Sequence, residues 1–165
     1  MNAVDNPEAI FGSVIQIGIV VSDVNKAIEC YRDLLQVKKW NINQVDTAIG
    51  KGGNFHKNGK PIQTKAKIAW ADFGKVELEL IEPQDQYSIY SDFLKEHGPG
   101  IHHVMLGTSN YATCLDHMDR QNIAAIGSGE LQGTRFRMFD TQQLLGFICE
   151  IAEGDPLVPD QTLSN

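Results

Sequence analysis

The 165-residue sequence predicts an α+β fold in which the element order βαβββ occurs twice. The first observation behind this is a repeat. Ile15-Gln16-Ile17-Gly18-Ile19-Val20-Val21-Ser22-Asp23 aligns without a gap on His102-His103-Val104-Met105-Leu106-Gly107-Thr108-Ser109-Asn110, an offset of 87 residues. The second is that each copy ends in a similar strand, Leu78–Glu82 in one and Cys149–Glu153 in the other, an offset of 71. The third is periodicity, because each copy carries one helical pattern among its β-rich runs. The length fits a single domain, residues 1–165, with a first module over 14–83 and a second over 101–153. A linking helix and turn fill 84–100, and 154–165 reads as a tail.

In chain order, Val14 to Val21 is a β-rich run, and Ser22-Asp23 supplies a helix N-cap. Val24, Ala27, Ile28, Tyr31, Leu34 and Leu35 then recur at helical spacing. Val37 to Ala48 reads as a second, polar strand carrying Asn41, Asn43 and Gln44. Gly50 to Pro61, with its glycines and asparagines, reads as a mobile loop able to act as a lid. Residues 64–73 and 75–82 form a hairpin turning near Gly74. Tyr87 to Glu96 is the linking helix, stopped by His97-Gly98-Pro99-Gly100. The second module follows as strand 101–108, helix 111–121 and strands near 123–130, 134–140 and 146–152.

Bulk properties exclude several functions. A net charge of −7 argues against nonspecific nucleic-acid binding, which needs basic residues to neutralise phosphates. No apolar run approaches the roughly 20 residues that cross a bilayer. Met1 to Gly12 lacks the basic-then-apolar order of a secretory signal. Cys30, Cys114 and Cys149 are odd in number and widely spaced, as expected of reduced thiols in a cytoplasmic protein.

Strand parity nominates the site. In 75–82, Glu77, Glu79 and Ile81 share one face, while Val76, Leu78 and Leu80 share the other and should meet the helix. In 146–152, Ile148, Glu150 and Ala152 fall on the cleft side, opposite Phe147, Cys149 and Ile151. A carboxylate among core residues is costly to bury without a partner, and a cation is the usual one. From parity alone, solvent-facing glutamates on a half-exposed sheet fit equally well. The repeat adds weight, since Gln16 and His103 are also equivalent to each other within apolar strands. A ligand pair in each half, Gln16 with Glu79 and His103 with Glu150, points to a metal between the halves. His102 has the opposite parity and is assigned to the helix side. Arg135 and Arg137 share a parity and could aim guanidinium groups into the cleft at a carboxylate, phosphate or thioester-bearing ligand; surface solubilisation is the alternative.

The runs IQIGIVVSDVNKAIECYRDLL, KVELELIEP, HGPGIHHVMLG and ICEIAEG resemble the vicinal oxygen chelate superfamily over most of Val14 to Glu153. Within it, they are most similar to methylmalonyl-CoA epimerase-like and glyoxalase-like proteins. The resemblance implies two βαβββ modules pairing into an open, cupped mixed sheet around one divalent metal, and a homodimer. It assigns the ligands to Gln16, Glu79, His103 and Glu150. Gln16 stands where such epimerases usually have His; a Gln/Glu/His/Glu set is that of one branch of glyoxalase I enzymes. Iron-dependent ring cleavage, which needs two His and one carboxylate, is disfavoured by the same residue.

Three oxygens and one imidazole suit Zn, Ni, Co, Mn or Mg, with two positions left for water or substrate. A small molecule with adjacent oxygens, or a thioester, could then lose a proton beside its carbonyl. The resemblance makes Glu150 the first base. The nearest match to the epimerases' second acid-base glutamate is Lys67, with Lys65 beside it on the same face, and Glu77 is a possible substitute. The expected function is therefore a metal-dependent isomerase of the acyl-CoA epimerase kind. A glyoxalase I-like lyase, an isomerase of a specialised metabolite and a non-enzymatic small-molecule binder are the alternatives.

Overall fold

The computed structural model describes residues 9–51 and 53–164, so the expectation for most of the N-terminal segment falls outside it, as do Gly52 and Asn165. The first module begins with β1 (Phe11–Val20) and α1 (Val24–Leu35). Asp23 caps α1 by accepting the Lys26 N–H at 3.1 Å, and Glu82 accepts the Val24 N–H at 2.8 Å, so both satisfy donors the first turn leaves free. Then come β2 (Lys39–Asp46), β3 (Phe55–Lys57), β4 (Lys60–Ile62), β5 (Lys65–Phe73) and β6 (Val76–Pro83). The linking helix is α2 (Ile89–His97), capped by Ser88 and stopped at Gly98, where φ is 75°. The second module runs β7 (Gly100–Thr108), α3 (Tyr111–Arg120), β8 (Ala125–Leu131), β9 (Thr134–Phe139), the short α4 (Gln142–Leu145) and β10 (Ile148–Glu153). A last strand, β11 (Gln161–Ser164), follows.

The described strands form one mixed sheet in the order β11-β2-β5-β6-β1-β7-β10-β9-β8-β3-β4. Its centre is the antiparallel β1–β7 pair, flanked by parallel β6 on one side and parallel β10 on the other. The two halves, β2-β5-β6-β1 and β7-β10-β9-β8, are mirror orders of one plan, and the sheet curls into an open cup. On the convex side, α1 covers Leu78, Leu80, Ala69 and Trp40, while α3 covers Cys149, Ile151 and Phe139. The concave side holds a separate core of Val45, Phe55, Ile68, Trp70, Met138 and Tyr90 of α2. The parity expected for β6 and β10 is therefore the parity observed.

Two segments differ from their sequence-based expectations. The Gly50–Pro61 loop contains the β3–β4 hairpin, and β3 pairs with β8 of the other module. Its turn is Asn58-Gly59, with φ of 49° and 74°, the Asn-Gly pairing that a two-residue hairpin turn favours. The segment thus crosses the cup from one edge to the other. The tail likewise ends in β11, which adds to the β2 edge. On the way, Asp160 accepts the Gln44 N–H at 2.9 Å and Asn43 accepts the Asp160 N–H at 2.6 Å. Among the described residues, no helix is long and apolar enough to cross a membrane, and all three cysteines are free thiols.

Candidate functional site

Two neighbouring rungs of the central sheet carry the polar residues of the cup. One rung runs Glu77–Gln16–Met105–Glu150 across β6, β1, β7 and β10. The next runs Glu79–Gly18–His103–Ile148 across the same strands. Residues two apart on a strand share a face, so all of these point into the concave side. Gln16, Glu77, Glu79 and Glu150 line a cavity with an empty volume of about 880 Å³, its opening included. Gln16, His103 and Glu150 are buried.

Gly18 makes the arrangement possible. A Cβ built there would lie 1.9 Å from His103 Cε1 and 2.1 Å from Nε2, so the imidazole lies flat over a bare backbone. From that position His103 Nε2 reaches Glu150 Oε2 at 2.8 Å and Glu79 Oε2 at 3.5 Å. The 2.8 Å pair nevertheless lacks hydrogen-bond alignment, leaving both buried atoms without a hydrogen-bond partner among the described residues. The other ring nitrogen, Nδ1, is 3.1 Å from His102 Nδ1. Gln16 donates from Nε2 to Glu77 Oε1 at 2.7 Å, and among the described residues no hydrogen bond engages its amide oxygen. Among the described residues, no three His, Cys, Asp or Glu side chains form a ready-made metal cage.

The electrostatics follow from burial. Burial raises the Glu77 carboxyl to about 7; the Gln16 hydrogen bond works against this, and the nearby Glu79 and Asp72 charges add to it. Burial opposes a charge on His103, but the carboxylates of Glu150 and Glu79 outweigh it and carry the ring to about 10. Burial also raises Glu150, against the pull of His103. The imidazole and the carboxylate each favour the other's charged form, and burial opposes the charge on both. Burial and the neighbouring His103 charge lower His102 to about 3, so its ring is neutral.

Four of the nominated residues do not face the cup. On β5 the concave set is Ala66, Ile68 and Trp70, which puts Lys65 and Lys67 on the other face. Lys67 Nζ donates to Asn25 Oδ1 of α1 at 2.7 Å, and Lys65 pairs with Asp46 at 3.3 Å. On β9, Phe136 and Met138 take the concave side. Arg135 therefore points outward, paired with Glu153 and lying over the Tyr111 ring at 5.0 Å, and Arg137 shares its parity. Substrate-binding roles for Lys65, Arg135 and Arg137 inside the cup, and an acid-base role for Lys67, lose their geometric basis. Glu77 keeps its own.

His102 is a further correction. The β1–β7 register shifts between Gly18↔His103 and Ile19↔Ile101, a bulge that turns His102 away from Val104 and Leu106. Its ring packs instead against Tyr90 and Phe93 of α2, at 5.0 and 5.1 Å between centroids. Tyr90 and Gly18 also belong to the site without having been nominated. A glycine inside a strand pattern is the signal that marked the second of them.

A family model described as the glyoxalase/bleomycin resistance protein/dioxygenase superfamily matches residues 15–137. No curated protein matches the chain. Among solved structures, methylmalonyl-CoA epimerase from Mycobacterium tuberculosis is similar at a TM-score of 0.66 and 18% identity, over 92% of this chain and 93% of that one. A hypothetical protein from Bacillus halodurans is similar at 0.65 and 19%, over 90% and 98%. A Streptomyces coelicolor methylmalonyl-CoA epimerase variant in complex with 2-nitronate-propionyl-CoA is similar at 0.60 and 16%, over 87% and 97%. At these identities the likeness is one of fold.

Proposed function

Because the chain belongs to the glyoxalase/bleomycin resistance protein/dioxygenase superfamily, we propose that it is an isomerase that moves a proton at the carbon beside a carbonyl, with one divalent metal ion in its cup. The observation that carries this reading is the pair of orphaned buried atoms, His103 Nε2 and Glu150 Oε2, facing each other without a hydrogen bond. Glu79 lies beside them, and among the described residues no hydrogen bond engages the Gln16 amide oxygen; this donor set fits a divalent ion. These four residues would hold the metal. When bound, such an ion supplies stabilisation for the negative charge that develops on the substrate's carbonyl oxygen.

The protein's own groups move the proton. Glu77, at about 7, is close to the neutral working range of a general acid-base residue. Glu77 and Glu150 end the same rung, three strand spacings apart, or about 14 Å along the sheet. Side chains leaning in from both ends leave room for a substrate carbon between them. A proton taken by one carboxylate and returned by the other would invert that carbon, which favours an epimerase. The epimerases among the structural neighbours make an acyl-CoA thioester the first substrate to try. A glyoxalase I-like lyase is the second reading, favoured by Gln16 in place of a histidine.

The test is metal content by plasma mass spectrometry, followed by solvent-deuterium exchange at the α-carbon of acyl thioesters. About one equivalent of metal, lost in Glu79→Ala and His103→Ala, and exchange lost in Glu77→Gln, would support the assignment. A parent protein that takes up no Zn, Ni, Co or Mn would overturn it and leave a small-molecule binder. So would exchange indifferent to both Glu77→Gln and Glu150→Gln.

A further inference from the structure

Hydroxyl and amide side chains line the cup at four positions: Gln16, Thr64, Tyr90 and Thr134. Two of these are committed within the protein. Gln16 donates to Glu77, and the Thr134 hydroxyl donates to the Asp155 carbonyl oxygen. The other two are not. Thr64 is only 2% exposed, yet its Oγ1 has no hydrogen-bond partner among the described residues. Its backbone, in contrast, is held on both sides. The Thr64 N–H donates to Thr47 Oγ1 at 2.9 Å, and the Thr64 carbonyl accepts the Thr47 N–H at 3.0 Å. The β-branched side chain therefore stands on a fixed backbone with few rotamers open to it. Tyr90 is buried as well, and among the described residues its hydroxyl reaches only the Met138 thioether at 4.0 Å, a weak acceptor. The His102 ring, 5.0 Å away between centroids, packs against the Tyr90 ring.

The two hydroxyl-bearing residues are neighbours. Both also line a narrow recess between the β3–β4 hairpin and the start of α2, with an empty volume of only about 250 Å³, and Phe55 and Phe136 line the cup and the recess alike. Thr64 and Tyr90 are thus the polar part of the wall where the cup closes on that recess. A buried hydroxyl without a partner is costly, because its hydrogen bonds to water are lost and nothing replaces them. A hydroxyl or carbonyl oxygen on a ligand supplies the missing partner. Resting on the metal-assisted proton transfer proposed above, we infer that Thr64 and Tyr90 form a hydrogen-bonding subsite for a further oxygen of the substrate, a hydroxyl or carbonyl carried on its body in addition to the oxygens that meet the metal. The pair then sets specificity, because a substrate lacking that oxygen leaves the two hydroxyls buried and unpaired.

The test uses two chelating pyranones, kojic acid and allomaltol, which offer a metal the same pair of adjacent oxygens. They differ by one hydroxyl on the ring's methyl group, remote from that pair. Binding to zinc-loaded protein is measured by calorimetry. Kojic acid should bind at least about fivefold more tightly. Thr64→Val, which puts a methyl where the hydroxyl was, should bring the ratio close to one and leave allomaltol binding unchanged. Tyr90→Phe should reduce the ratio, and Thr64→Ser should keep it. Thr64→Val should also raise the Tm of the zinc-free, ligand-free protein, since it removes an unpaired buried hydroxyl; a hydroxyl that held the fold together would give a lower Tm instead. Equal or tighter binding of allomaltol to the parent, a ratio that survives Thr64→Val, or a lowered Tm in that variant would overturn the inference. So would binding of neither pyranone at millimolar concentration. Zinc uptake is measured separately by equilibrium dialysis. Its failure counts against the metal reading alone, and the pyranone ratio is then read in zinc-free protein.

Discussion

Gly18 carries no functional group, yet the site depends on it. Its missing side chain is the space into which the His103 ring fits, between Glu79 on one neighbouring strand and Glu150 on the far side. Gly18→Ala should keep the sheet but displace His103, costing about 1–3 kcal/mol in stability and most of the metal affinity. Thermal denaturation and metal titration check the two parts. His102 is placed to hold His103 by its Nδ1 so that Nε2 faces the cup. His102→Phe keeps the packing against Tyr90 and Phe93 but removes that contact. It should weaken metal binding by about 10- to 100-fold, measured with a competing chelator. For Glu77 the sign follows from its raised carboxyl: between about 4.5 and about 7 the folded chain holds a proton that the unfolded chain has released. Its contribution to stability therefore falls as pH rises through that window. Glu77→Gln removes the dependence, so in chelator-treated protein the variant should gain Tm relative to the parent from acid to neutral pH. A parallel pH profile for the two proteins would contradict this.

The crossing hairpin and the C-terminal strand turn an open sheet into a cavity. Asn58-Gly59 sets the β3–β4 turn, and β3 delivers Phe55 against Phe136 at 5.6 Å between ring centroids. Gly59→Ala places a Cβ at φ of 74° and should destabilise the hairpin by about 1 kcal/mol. Faster amide exchange over 53–62, with the central strands unchanged, is the expected readout. The Asn-Gly pair was visible in the sequence, but so were the surrounding glycines, and local composition outweighed the turn signal. The β11 strand had no comparable local signal. It exists because β2 offers an unpaired edge, which only the assembled sheet creates.

Across the whole molecule, the cup joins two modules through β1 and β7, and each contributes half of the proposed ligand set. Metal binding should therefore tie the halves together. Zinc at about 100 times its Kd should stabilise the fold by about 2.7 kcal/mol, seen as a rise in Tm that Glu79→Ala abolishes. The sequence by itself determined the βαβββ duplication, the parities of β6 and β10, and the gathering of Gln16, Glu79, His103 and Glu150. These follow from period-two alternation, which is local, and from a repeat legible along the chain. It could not determine which face of β5 and β9 meets the cup. Ala66, Ile68 and Trp70 alternate with Lys65, Lys67 and Ala69, and apolar residues occur in both sets. Tertiary structure decided that, because the concave side is itself an apolar core, so Trp70 and Phe136 fill it and the lysines and arginines turn outward. It also decided the position of His102, since a bulge depends on the register between two strands and leaves no trace in the spacing along either one.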